Sequence, residues 1–123
     1  MRSDIQPILA QHPGLLHRMR FVSMRFELRS SQQRLQVAVD QGQASAGAVP
    51  ADGVIADCDF VLQAPQAAWD AFSQPVPAPG YHDLIALIES GHAQFSGEGL
   101  AFFRNLFLVK GIVSAVFRGD ARW

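Results

Sequence analysis

The side chains most able to do chemistry in this sequence are four histidines and a lone cysteine. The histidines are scattered at His12, His17, His82 and His92, and only His82 is followed by a carboxylate, Asp83. Zinc sites need histidines and cysteines at paired spacings, and the sequence contains no such pair. We therefore expect no metal, and we expect exposed or locally bonded histidines. A His82–Asp83 pair beside a pocket is the most from which an active site could be built. We expect this pair to be structural instead, with Asp83 capping the helix that begins nearby.

The other candidates for chemistry are Cys58, two aspartates and a glycine-rich turn. Cys58 has no base partner recognisable in the sequence, and the Gly-x-Ser-x-Gly turn of serine hydrolases is absent. Asp57 and Asp59 share one face of a predicted strand, which we expect to face solvent because buried like charges need a compensating partner. The string GEG at positions 97–99 lacks the lysine of a phosphate loop and is predicted to end a strand and cap a helix. The sequence therefore predicts a protein that is not an enzyme and has no cofactor.

Length, charge and cysteine content limit the class of protein further. A chain of 123 residues is long enough for one core and short for two, so we predict a single domain over residues 1–123. Ten basic and eleven acidic residues give a net charge of −1, which offers no field to hold nucleic acid. The single cysteine excludes an internal disulfide and fits a reducing compartment, so we expect the cytoplasm.

Alternating apolar residues predict a small sheet. The alternation runs through 19–30 and again through 34–40, with a polar link between them that indicates a hairpin. The small residues of 41–53 predict a loop, 54–64 predicts a third strand, and 92–97 predicts a short one. We expect an antiparallel sheet of four to five strands.

Helical spacing accounts for most of the remaining sequence. It predicts one short helix or two turns over 5–18, helices over 65–72 and 81–91, and a long final helix from about Gly97 to Arg118. Three prolines make 73–83 a stiff connector. Strands segregated from helices define an α+β fold, here a small sheet covered by helices on one face.

The final helix carries more apolar surface than one core face requires. Its predicted core face consists of six side chains: Phe102, Leu106, Val109, Ile112, Val113 and Val116. Its predicted polar face carries Arg104, Lys110, Ser114 and Arg118, and three apolar side chains lie beside that face: Phe103, Phe107 and Leu108. Charged residues interrupt the apolar sequence of this helix too often for a membrane span. A helix lying at the membrane interface would normally carry more basic residues. The surplus surface is therefore predicted to meet a cavity, a second subunit or another domain.

Three strings in this sequence resemble the SCP2 sterol-carrier family: LQVAVDQGQAS, ADCDFVLQAPQAAWDAF and ALIESGHAQFSGEGLAFFRNL. The family has an Ala-Asp pair at its third strand, where this sequence has Ala56-Asp57. It usually has a Gly-Asp pair before the final helix, where this sequence has Gly97-Glu98. The resemblance spans about Phe21 to Phe117. It implies an α+β domain with a hydrophobic tunnel between the sheet and the helices, which accepts sterols, fatty acyl chains or similar lipids.

The aromatic and aliphatic residues of the helices and the last strand are the candidates for lining that tunnel. The predicted ligand-binding residues are Trp69, Phe72, Ile85, Ile88, Phe95, Phe102, Phe103, Leu106 and Phe107. The proline-rich connector 73–83 is longer than the family's usual link, which leaves the identity of the ligand open.

Two functions follow from this resemblance. The first is a non-catalytic module that binds an apolar small molecule. The alternative is an accessory domain of the same fold that docks a hydrolase partner, or forms a homodimer, through the final helix. The string WDAFSQPVPAPGYHDLIALIESGHAQFSG also resembles a region ahead of the catalytic domain in some bacterial α/β-hydrolases.

Overall fold

The computed structural model describes residues 1–49 and 58–121. The elements follow the chain in this order: α1 (Gln6–Leu9), α2 (Pro13–Met19), β1 (Met24–Arg29), β2 (Arg34–Asp40), β3 (Gln43–Val49), β4 (Phe60–Gln63), α3 (Gln66–Phe72), α4 (Leu84–Glu89), β5 (Gln94–Gly97), α5 (Gly99–Arg104) and α6 (Leu106–Arg118). Five strands and segregated helices confirm the predicted α+β class. The two turns predicted for the N-terminal segment are α1 and α2.

The five strands form one sheet in the order β3-β2-β1-β4-β5. Three of the neighbouring pairs are antiparallel, as predicted. The β1–β4 pair is parallel, with Phe26 opposite Phe60 and Leu28 opposite Leu62, so the expectation of a wholly antiparallel sheet is wrong at this pair. Alternation within a strand reports which face is buried, but it contains no information on strand order, and β4 lies beyond β1 rather than beside β3.

The strand register gathers the apolar side chains on one face of the sheet. Phe26 lies opposite Val37 in β2, and Leu62 lies opposite Phe95 in β5. Nearly all the large side chains on this inner face are buried, and Phe95 is half-buried. The outer face carries at least one exposed polar side chain in every strand, among them Arg25 in β1 and Asp40 in β2, although Glu27 on this face is buried. The helices therefore share a single core with the inner face, as the periodicity predicted.

The strand β3 replaces part of the loop predicted over 41–53. Gln41 and Gly42 both have positive φ, at 50° and 79°, and form a two-residue turn that pairs Asp40 with Gln43. Such turns match the twist of a hairpin. The side chains of β3 are small, so the sequence shows no clear apolar alternation there. The strand is held by backbone hydrogen bonds to β2. In the third predicted strand, only 60–63 is extended among the described residues, and 50–57 lies outside them.

The predicted long final helix is two helices that meet at Asn105. This residue has φ −112° and ψ 27°, outside the helical region, and its side-chain Nδ2 donates to the carbonyl of Ala101 at 2.9 Å. Asparagine side chains compete with the backbone for hydrogen bonds in this way. The helical period continues on both sides of Asn105, which is why the sequence predicted one helix.

The helix ends follow the predicted capping. The carboxylate of Glu98 accepts from the backbone N–H of Leu100 at 3.0 Å and begins α5, directly after β5 ends at Gly97. Asp83 caps α4 by accepting from Ile85 N–H at 3.1 Å. Within 1–49 and 58–121, no helix is long and apolar enough to cross a bilayer.

Candidate ligand-binding site

An aromatic cluster lies between the sheet and α5. Phe60 is its hub, stacked on Phe26 with the ring centroids 4.8 Å apart and edge-to-face with Phe102 at 5.3 Å. Phe95 of β5 contacts both Phe60, at 5.6 Å, and Phe102, at 4.9 Å. Phe26, Phe60 and Phe102 are buried, whereas Phe95 is half-buried. The cluster therefore reaches from the centre of the sheet to the molecular surface beside α5.

A second aromatic cluster joins α3 to α6. The ring of Trp69 stacks on Phe117 with the centroids 4.2 Å apart, and Phe72 meets both rings edge-on. The indole N–H of Trp69 donates to the carbonyl of Arg29 at 2.8 Å, which ties α3 to the end of β1. Both Trp69 and Phe72 are buried. These contacts give the two side chains a structural part in the core.

The structure distributes the nine predicted ligand-binding residues over three environments. Three are buried in the two clusters: Trp69, Phe72 and Phe102. Four are half-buried against the core: Ile85, Ile88, Phe95 and Leu106. Two are exposed: Phe103 and Phe107. Phe95, Phe102 and Phe103 form one continuous group, and Trp69 and Phe72 form another. The tunnel between the sheet and the helices stays a prediction.

Three of the four side chains on the predicted polar face of the final helix are covered, in contrast to the expectation, and only Arg104 stays exposed. The Lys110 Nζ lies 2.8 Å from the Asp83 carboxylate, so this lysine joins α6 to the cap of α4. Ser114 is buried, and its hydroxyl lies 3.3 Å from a carboxylate oxygen of Asp120. The Arg118 guanidinium donates to the carbonyls of Phe72 and His82 and lies over the Phe72 ring. These polar groups hold α4 and the connector 73–83 on α6.

The three apolar side chains beside that face differ in exposure. Phe103 and Phe107 are 65% and 50% exposed, which confirms that they lie outside the core. Leu108 is only 1% exposed, so its predicted place in that surface is wrong. The helix α2 packs on α6, and Leu108 lies beside Gly14 and Arg18 at their junction. A helical wheel gives the angles around one helix but not which element covers each side, so it could not predict this cover.

Two adjoining surface pockets, each of about 430 Å³, lie where α2 meets α5 and α6. Gly14 and Arg18 line both pockets; Phe107 lines the first, and Phe21 and Arg104 line the second. The Arg18 guanidinium is 5.3 Å from the centroid of the Phe107 ring. Neither Arg18 nor Phe21 was predicted to belong to a site. The string HRMRF at 17–21 carried the signal, since it places basic residues directly beside an aromatic one.

The described histidines and carboxylates are spread over separate parts of the molecule. His92 stacks on Tyr81, with the centroids 4.2 Å apart, beside a pocket of about 440 Å³ between α3 and β5. His82 is exposed, while Asp83 serves as a helix cap. Cys58 lines another pocket of about 460 Å³ that also includes Asp59, whose carboxylate accepts from the backbone N–H of Arg25. Within the described ranges, no group of three or more side chains could hold a metal ion, and Asp57 lies outside those ranges.

This chain is similar to known proteins in structure but not in sequence. No protein-family model matches the sequence, and no curated protein matches it. A ubiquinone synthesis protein, UbiJ-SCP2, is similar in structure with a TM-score of 0.56 and 16% identity, over 91% of this chain and 81% of that chain. A conserved hypothetical protein from Thermus thermophilus, described as possibly a sterol carrier protein, matches with a TM-score of 0.61 and 16% identity, over 97% of this chain and 84% of that one.

The same fold is also similar to a part of a larger enzyme. The stereoselective inverting sec-alkylsulfatase Pisa1 from a Pseudomonas species matches 76% of this chain with a TM-score of 0.54 and 13% identity, and the matched region is 14% of that enzyme. At these identities the comparisons establish the fold alone. The chain therefore has the SCP2-like α+β fold, as the resemblance of its sequence to the sterol-carrier family predicted.

Proposed function

We propose that this chain is a cytoplasmic, non-catalytic module that binds an apolar small molecule, of sterol or fatty acyl type, between its sheet and α5. Of the two similar chains that it matches over most of their length, the Thermus protein is described as possibly a sterol carrier protein, and the ubiquinone synthesis protein carries SCP2 in its name. The aromatic cluster around Phe60 supplies an apolar wall, and pockets for such ligands are lined mainly by apolar and aromatic side chains.

The observation that carries this proposal is the position of Phe95. Its half-buried ring lies between solvent and the buried pair Phe60 and Phe102, so it offers an apolar path from the surface into the core. The cover over this path is α5, only six residues long, flanked by Gly97 with φ 116° and by the break at Asn105. Movement of the C-terminal end of this short helix away from the sheet would open room for an acyl chain beneath Phe102.

Native mass spectrometry tests this binding directly. We expect the purified chain to retain apolar molecules, or to take up one equivalent of a fatty acid or sterol supplied to it. Phe95→Arg places a charge on the path and should abolish that uptake, whereas Val76→Arg, at a highly exposed position of the connector, should leave it unchanged. A wild-type chain that neither retains nor takes up such molecules would overturn the proposal.

The accessory-domain alternative has less support. The similarity to part of an alkylsulfatase is compatible with it. A symmetric contact between two copies through Phe103 and Phe107 would, however, bring Arg18 and Arg104 of both copies together, and like charges in contact oppose association. Sedimentation of the wild-type chain over a range of concentrations would reveal such a pair.

A further inference from the structure

The three most exposed aromatic side chains of the described chain lie near arginines, where α2 meets the C-terminal helices. We define the aromatic–arginine surface as Phe21, Phe103, Phe107, Arg18 and Arg104. The three phenylalanines are 76%, 65% and 50% exposed, and together they carry more apolar area than isolated surface residues normally do. They come from separate elements, since Phe21 follows α2 and the other two lie on α5 and α6.

Four of the five members of this surface are joined by the two pockets, and Phe103 directly precedes Arg104 on α5. Arg18 lines both pockets between α2 and the C-terminal helices, and the second pocket brings Phe21 and Arg104 together. The Arg20 guanidinium, 5.8 Å from the centroid of the Phe21 ring, adds a third cation at the margin. Arg18 and Arg20 thus each lie over an exposed ring, so that cations and rings are neighbours on this surface.

The charge of this surface differs from that of the whole chain. The full sequence has a net charge of −1. The described residues lining the two pockets include Arg18 and Arg104 and no carboxylate. Glu98, which lies near Phe103 in the sequence, is engaged in capping α5 at Leu100 N–H. Positive charge is therefore concentrated where the apolar side chains protrude.

We propose that the aromatic–arginine surface docks on an anionic lipid bilayer. Exposed aromatic rings insert at the boundary between headgroups and acyl chains, and arginines attract anionic headgroups. The rings protrude too far for an enclosed small ligand, which would bury most of its surface. The arginines also disfavour a second copy of the chain. This proposal does not rest on ligand binding beneath α5, because it uses side chains that face outward.

Vesicle co-sedimentation tests the proposal on the full chain. We expect binding to vesicles of equimolar phosphatidylcholine and phosphatidylserine at low salt, weaker binding as salt rises, and no binding to phosphatidylcholine alone. Arg18→Gln with Arg104→Gln should lower the partition coefficient about thirtyfold, from about fivefold per arginine. Phe103→Ser with Phe107→Ser should lower it at least about tenfold through the lost apolar area.

Matched variants away from this surface serve as controls. Arg25→Gln removes an exposed arginine from the outer face of the sheet, and Val76→Ser removes an exposed apolar side chain from the connector. Neither should change vesicle binding. Circular dichroism establishes that each variant is folded, and the arginine pair decides the outcome if the phenylalanine pair unfolds.

Three results would overturn the proposal. The first is absence of wild-type binding to anionic vesicles at low salt. The second is equal binding by wild type and by folded arginine or phenylalanine variants. The third is evidence that something other than a bilayer binds the aromatic–arginine surface. Self-association through this surface would be such evidence, and so would uptake of monomeric fatty acid that is lost in the phenylalanine variant. Native mass spectrometry tests ligand binding beneath α5, and vesicle co-sedimentation tests docking on a bilayer. Either proposal can therefore fail without affecting the other.

Discussion

Two segments of the C-terminal helices exchange the environments that their residue types suggest. The covered flank is the later segment, with Lys110, Ser114 and Arg118, where α4, the connector 73–83 and the end of α3 meet it through an ion pair and hydrogen bonds. The open flank is the earlier segment, with Phe103 and Phe107, and both rings remain exposed. Exposure here is decided by which element packs on each flank. Polar groups become covered where bonding partners meet them, and apolar groups remain open where none packs.

The covered flank can accept its charges because each has a partner. A buried polar group without a hydrogen bond costs about 1–3 kcal/mol, and the Arg118 guanidinium meets the carbonyl of Phe72 at 2.7 Å and that of His82 at 3.0 Å. The open flank has no comparable constraint, since its rings are mostly exposed. We therefore expect substitutions on the covered flank to affect stability and those on the open flank to affect association.

The largest effect on stability should come from the core beneath both flanks. Phe60→Ala removes the hub that contacts Phe26, Phe95 and Phe102, and large-to-small changes of this kind cost about 3–5 kcal/mol. Urea denaturation monitored by circular dichroism measures the loss. Phe21→Ala is the control and should change the free energy of unfolding by less than about 0.5 kcal/mol, as exposed positions do. A loss below about 1 kcal/mol for Phe60→Ala would contradict the assignment of the cluster as core.

Arg118→Ala should have the next largest effect, on the covered flank. It removes hydrogen bonds from a charged group, each of the kind that contributes about 1.5–3 kcal/mol, and leaves the Phe72 carbonyl without this donor. We expect a loss of about 2–3 kcal/mol in the same denaturation experiment. Arg118→Lys keeps the charge but lacks the planar fork, so it should restore only part of the stability. Full restoration by lysine would show that charge alone matters here.

Asp83→Ala should have a smaller effect on the same flank. It removes the cap of α4 and the partner of Lys110, and loss of an N-cap costs about 0.5–2 kcal/mol. Thermal denaturation should show this loss with no change in apolar ligand uptake. His82→Ala is the neighbouring control and should alter neither stability nor uptake. Loss of binding or of any activity in His82→Ala at unchanged thermal stability would instead indicate a catalytic site.

The smallest effect on stability should come from the open flank. Phe103→Ser with Phe107→Ser removes two side chains that are mostly exposed, so the change in free energy of unfolding should be below about 1 kcal/mol. The same variant should lose most of its vesicle binding, which separates association from stability. Cooperative unfolding of this variant at a much lower urea concentration would show that the two flanks do not differ as described.

The sequence predicted the elements better than their arrangement. Alternation in β1 and β2 and helical spacing around Trp69 located these elements, because apolar periodicity reports directly on the buried face. The strand β3 was missed, since the alternation of its small alanine, serine and glycine side chains is too weak to mark a strand. The final helix was predicted as continuous, because the break at Asn105 comes from one side chain bonding to the backbone at Ala101.

The candidate site was anticipated only in part. Phe95 and Phe102 were named from their type and position, and the structure joins them through Phe60. Trp69 and Phe72 were named for the same cavity, and they instead form a second cluster with Phe117. Proximity between elements distant in sequence depends on packing, which composition does not report.

The sequence by itself determined the α+β class, the inward face of the strands and the caps at Asp83 and Glu98, because these depend on neighbouring residues and on period. Tertiary structure alone decided the parallel pairing of β4 with β1 and the covering of Lys110 and Ser114. It also assembled Arg18 with Arg104 around exposed phenylalanines. The final helix by itself has too few basic residues for an interfacial helix, and α2 supplies the missing charges through space. Such surfaces arise where separate elements meet, so no single stretch of sequence contains them.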